Sequence, residues 1–119
     1  YLSESGWTVV MTSDHGSTQV KNSVMVAADR SASKGVRYKY GRNLNTNSKS
    51  ALIIKDPKSF RLPVLGPQSS YIIAKGDNYF VYPNESHKYQ AKFKNSFQHG
   101  GISLEEMIIP VAIMHGKKE

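Results

Sequence analysis

The 119 residues suit one ordinary domain or part of a larger one, and a composition of 39% hydrophobic and 21% charged residues lets the chain bury a core. The absence of cysteine excludes disulfides, thiolate metal sites and cysteine nucleophiles. A net charge of +7, from 16 Lys+Arg against 9 Asp+Glu, favours anionic partners, and no apolar run approaches the roughly 20 residues of a membrane helix. The first residues, Tyr1-Leu2-Ser3-Glu4, carry no methionine and no signal peptide and read as a cut end. Trp7-Thr8-Val9-Val10-Met11-Thr12 is apolar and β-branched without helical spacing, which predicts a strand buried on both faces, as in a parallel sheet. Ligands of α/β folds bind beyond the carboxyl ends of such strands, and Ser13-Asp14-His15-Gly16 lies there.

From Ser17 to Ser50 the polar composition predicts a long loop, broken by the apolar stretch Val24 to Ala28. Ala51 to Lys55 reads as a second strand. Asp56-Pro57 then opens a short helical turn, with Asp as cap and Pro at the first helical position. Ser70 to Ala74 and Tyr79 to Tyr82, flanking Lys75-Gly76-Asp77-Asn78, read as a hairpin. Tyr89 to Phe97 alternates in part and reads as a strand. Gln98-His99-Gly100-Gly101 is a glycine-rich turn, and Ser103-x-x-Glu106 has the capping-box pattern of a helix turn. Met107 to Met114 is a last apolar strand, which Pro110 confines to an edge or a bulge. The tail from His115 is expected to be disordered, and His87 exposed.

An aspartate followed by histidine at a strand end can give one carboxylate oxygen and one imidazole nitrogen to a divalent ion. A turn past the strand lets adjacent side chains converge, and Gly16 lets backbone approach closely. Zinc suits such mixed donors, with manganese the oxygen-tolerant alternative. Standing alone, the pair is a weak signal and reads more readily as a turn aspartate followed by a surface histidine.

The order of three segments adds to this. Trp7 to Gly16, Arg37-Tyr-Lys-Tyr-Gly-Arg-Asn-Leu-Asn45 and Phe97-Gln-His-Gly-Gly-Ile-Ser-Leu-Glu-Glu-Met-Ile-Ile-Pro110 resemble, in order, the C-terminal half of the PglZ domain of the alkaline phosphatase superfamily. Within that family they look most like the PglZ portion of PorX-type response regulators, found in bacteria with type IX secretion. The resemblance implies an α/β fold, here the C-terminal portion of an alkaline-phosphatase-like domain over residues 1–119, mostly strands, a hairpin and long loops. The upstream half of the domain, and any receiver domain, would precede it. It also implies that Asp14 and His15 ligate one metal and His99 a second, with the nucleophile and other ligands upstream. Two zinc ions, or manganese, would serve the complete domain.

The implied chemistry is two-metal cleavage of phosphodiesters such as oligonucleotides, in a cytoplasmic two-component protein. Arg37, Lys39, Arg42 and Asn43, with Lys34, form a basic stretch suited to phosphate, and Tyr38 and Tyr40 are placed to stack on bases. The 119 residues alone are expected to be inactive and to bind zinc weakly. Implied partners are the upstream half, the nucleic acid and a second copy of the chain. The alternative is a non-catalytic signalling module that keeps a structural metal and acts by dimerisation or docking.

Overall fold

The computed structural model describes residues 1–2, 4–29 and 31–117, so Lys118 and Glu119 of the expected tail lie outside the described residues. The elements run in the order β1 (Val9–Thr12), β2 (Thr18–Gln19), β3 (Asn22–Ala27), β4 (Tyr38–Gly41), β5 (Asn45–Thr46), β6 (Ala51–Ile54), a 3-10 turn (Pro57–Phe60), β7 (Ser70–Ala74), β8 (Asn78–Val81), a second 3-10 turn (Pro83–Glu85), α1 (Ser86–Phe93), β9 (Phe97–Gln98), α2 (Leu104–Met107) and β10 (Val111–Met114).

Two three-stranded sheets hold the core. One is antiparallel, in the order β4-β7-β6. The other, β5-β3-β8, pairs β3 parallel with β8 and antiparallel with β5. Val26, Ala51, Ile72, Ala74 and Phe80 pack into one apolar cluster drawn from both sheets. Val20, Val36, Tyr79 and Val81 form a second, against which α1 lays Tyr89 and Phe93. A strong local cap agrees with its neighbours at Asp56, whose side chain accepts from the Lys58 N–H at 3.2 Å with Pro57 at the start of the turn.

Four expectations are corrected. Residues 17–50 are not one loop, because β2, β3, β4 and β5 lie within them and find partners far along the chain. β7 and β8 do not pair as a hairpin. Each is apolar on both faces; β7 sits between β4 and β6, β8 pairs with β3 at the edge of the other sheet, and the connection at 75–77 is a corner between sheets. The stretch after Pro83 is helical as far as Phe93, since Tyr89 and Phe93 are four residues apart and reach the core together only on a helix. Finally, the strand at Val9 to Thr12 is neither parallel nor buried. β1 pairs antiparallel with β10 alone, in the register Val9↔Met114 to Thr12↔Val111. Val10, Met11, Val111 and Ile113 stand at least 57% exposed, so both faces of this ribbon are open. His115 and Gly116 continue from β10, and Gly116 packs on the backbone of Gly6, so this part of the tail is held.

Candidate metal centre

The loop after β1 and the turn after β9 meet. Gly16 N–H donates to the Glu106 carbonyl at 2.9 Å, in a fit so close that any Cβ on Gly16 would overlap the Glu105 carbonyl. β2 pairs with β9, Thr18↔Gln98, which brings the two loops side by side. The result is that the His15 and His99 rings stack, centroids 3.7 Å apart and 13° from parallel. His15 Nδ1 lies 2.8 Å from the Gly16 carbonyl. Donation there leaves Nε2 with its lone pair free. That Nε2 is 3.6 Å from Asp14 Oδ1, and Asp14 is 88% exposed.

These donors suit a divalent ion in part. Two ligands of one tetrahedral zinc, each about 2.0–2.2 Å from it, stand roughly 3.4 Å apart, close to the spacing of His15 Nε2 and Asp14 Oδ1. Yet no group of three His, Asp or Glu side chains converges among the described residues. Asp14, His15 and His99 thus lie together on an exposed surface without closing a site.

A family model for the BREX system PglZ alkaline phosphatase-like domain matches residues 1–114. The chain belongs to the PglZ family. No curated protein matches it. Its sheets, few helices and connecting loops fit a portion of an alkaline-phosphatase-like α/β domain, a phosphoesterase type of fold. Among the described residues no helix is long and apolar enough to cross a membrane.

Behind the histidines the PglZ chain builds a polar brace. Ser103 and Glu106 form the capping box at α2, as their spacing predicts. Glu106 does more than cap. It is 4% exposed, and its carboxylate takes two hydrogen bonds of 2.9 Å from Arg37, Nε to Oε1 and Nη2 to Oε2. It also accepts the Gly101 N–H at 2.9 Å. Burial pushes the Glu106 carboxyl up, but hydrogen bonds from Arg37, Ser103 and the Gly101 and Ser103 backbone outweigh it and bring it down to about 2. Glu106 therefore holds the His15 loop with its carbonyl and the His99 turn with its carboxylate. The sequence showed only the cap; the signal for the rest is Arg37, a charge inside a strand-forming segment.

The basic segment divides accordingly. Arg37 is fully buried, and its remaining nitrogen, Nη1, donates to the Asn78 carbonyl. Lys39 is also fully buried, with Nζ donating to the Ser33 and Gly35 carbonyls and lying 4.4 Å from the centre of the Tyr82 ring. Burial lowers its ammonium to about 8. Both were expected at a phosphate surface; their nitrogens are instead engaged inside the fold. Arg42 is solvent-facing, 4.0 Å from Asp29, while the Asn43 amide donates to Asp29 at 3.1 Å. Tyr38 abuts Gly100, next to His99, and Tyr40 and Tyr71 extend a row of rings from it at 6.3 and 5.7 Å.

Proposed function

We propose that this chain is the C-terminal part of a metal-dependent phosphodiesterase domain whose metal centre is completed by the upstream half of the same domain. The stacking of His15 on His99, from distant parts of the sequence and beside Asp14, carries the reading. Asp14 and His15 would hold one zinc ion and His99 another, with manganese the alternative. When bound, such ions stabilise phosphoryl oxygens and lower the pKa of a nucleophile. The chain's own residues position the ligands: Glu106 and Arg37 fix both loops, and Gly16 sets their separation.

Oligonucleotides are the proposed substrate class. Tyr38 and Tyr40, half-buried and leading away from the His99 turn, offer stacking faces. Tyr40 and Arg42 line a cavity of about 290 Å³ with Ser31, Gly41 and Ser69, where a guanidinium is available for phosphate. Of the four phosphate candidates, Arg42 is the one that faces solvent with an uncommitted nitrogen fork, and Asn43 stands beside it. The response-regulator setting, type IX secretion and a cytoplasmic location belong to this reading through the three segments that look PorX-like.

The test is metal analysis by mass spectrometry of the complete domain beside its Asp14→Ala and His99→Ala forms. Each substitution is expected to lower bound zinc and abolish cleavage of a phosphodiester. Unchanged zinc in both would overturn the assignment. A second reading, a docking module with a structural metal, is favoured by the open apolar ribbon. Full zinc occupancy without any phosphodiester cleavage would select it.

A further inference from the structure

β3, β8 and the end of α1 border a polar cavity of about 310 Å³ lined by Lys21, Asn22, Ser23, Tyr79, Gln90 and Lys94. At its floor is an anomaly. Tyr79 is fully buried, and its hydroxyl has no hydrogen-bond partner among the described residues. An unpaired buried hydroxyl costs about 1–3 kcal/mol, so such groups normally have a partner. Ser23 stands opposite Tyr79 across the parallel strands, near enough to hold the phenol's pKa down in part, and its oxygen accepts from Gln90 Nε2 at 3.0 Å. Burial raises the phenol's pKa, so it stays a donor at neutral pH.

The charges around the cavity have one sign. Lys21 and Lys94 stand at its rim, and neither enters an ion pair among the described residues. The Asp77 carboxylate accepts from the Asn22 amide at 2.8 Å. Two ammonium groups, two amides, a serine hydroxyl and an unpaired phenol make a donor-rich site with room for a tetrahedral oxyanion.

We propose that this cavity is a phosphate-binding site, in which Tyr79 and Ser23 donate at the floor and Lys21 and Lys94 neutralise the charge at the rim. Lys21 also lines the adjoining cavity, of about 400 Å³, together with Ser17, Thr18, Gln19 and Phe97, residues that flank His15 and His99 in sequence. A phosphate here has two sources: free inorganic phosphate, or a neighbouring phosphate of a nucleic acid strand. The site itself does not depend on the metal reading.

The test is a titration of the ¹⁵N-labelled 119-residue chain with inorganic phosphate, against chloride at matched ionic strength, followed by a short single-stranded oligonucleotide. Phosphate, not chloride, is expected to shift the amides of Lys21, Asn22, Ser23, Tyr79, Gln90 and Lys94. Tyr79→Phe, which keeps the ring in the core, is expected to weaken phosphate roughly tenfold, the worth of one charge-assisted hydrogen bond. The surface double variant Lys21→Gln with Lys94→Gln is expected to abolish binding. Asp14→Ala is expected to leave it unchanged, which separates this site from the metal centre. If the oligonucleotide moves the same amides at lower concentration, the source is a strand; if inorganic phosphate alone moves them, it is the free ion. Equal shifts with chloride, or unchanged affinity in both Tyr79→Phe and the lysine double variant, would overturn the proposal.

Discussion

Removing either partner of the Arg37–Glu106 pair strands the other charge inside the fold, because neither side chain reaches solvent. Glu106→Gln is expected to destabilise the chain by about 3 kcal/mol or more, read from urea denaturation at neutral pH. The same group gives an acid signature. Its carboxyl in the fold is depressed to about 2 from the ordinary 4.5. The stability it contributes is therefore complete above about 4.5 and is lost progressively as pH falls towards 2. Wild-type stability should decline through that window more steeply than that of Glu106→Gln, and parallel slopes would contradict the role. The spacing of Ser103 and Glu106 announced the cap, a contact within one turn. The partner 69 residues upstream could not be read, because a buried ion pair has no local pattern.

At the scale of elements, short-range chemistry was legible and partner choice was not. The Asp56-Pro57 turn and the α2 cap depend on neighbours in sequence and fold as read. β7 and β8 illustrate the failure. Their turn suits a hairpin, yet β7 is taken up between β4 and β6 and β8 pairs with β3, so the two apolar strands lie in different sheets. The meeting of the two histidine loops was legible only through family resemblance, since β2 and β9 are two residues each and carry no periodic signal. What keeps those loops together can be tested at Gly16. Gly16→Ala would drive a methyl group into the Glu105 carbonyl, so the loop must part from α2. The expected cost is roughly 1–3 kcal/mol in chemical denaturation. Zinc affinity of the complete domain should fall with it. Alanine tolerated without change in either would mean the loops are not braced there.

The whole molecule is more open than its size requires. A compact chain of this length has a radius of gyration of about 13.5 Å; here it is 18.8 Å, with extents of 62 × 35 × 23 Å. A compact 13.3 kDa monomer exposes about 6,400 Å², against 8563 Å² here. The excess, about 2,000 Å², is the size of a permanent interface. The sequence of β1 demanded burial on both faces, and the fold leaves both faces bare, so demand and fold agree only if other polypeptide covers the ribbon. Replacing the cross-strand pair Val10 and Ile113 by threonine keeps β-propensity while removing apolar surface. Self-association of the isolated chain in sedimentation velocity, and its binding of a hydrophobic dye, should both drop. The same pair of changes should destabilise the complete domain. If the isolated chain is monomeric and binds no dye before the substitutions, the ribbon is not the sticky face described.

The β1–β10 ribbon also fixes how the chain closes. Val9 faces Met114, and Gly116 rests on Gly6, so polypeptide arriving through residue 6 and leaving through residue 116 passes within contact distance. In topology the residues between are an excursion on a stem whose two strands come from the two ends of that excursion. Pairing β1 with β10 spans the longest sequence separation of any strand pair among the described residues, which makes its closure slow. The His15 and His99 loops are strung between the stem and the core. Their assembly should therefore lag behind that of the two central sheets, and a folding experiment that follows the His15–His99 contact should see it form in the slow phase.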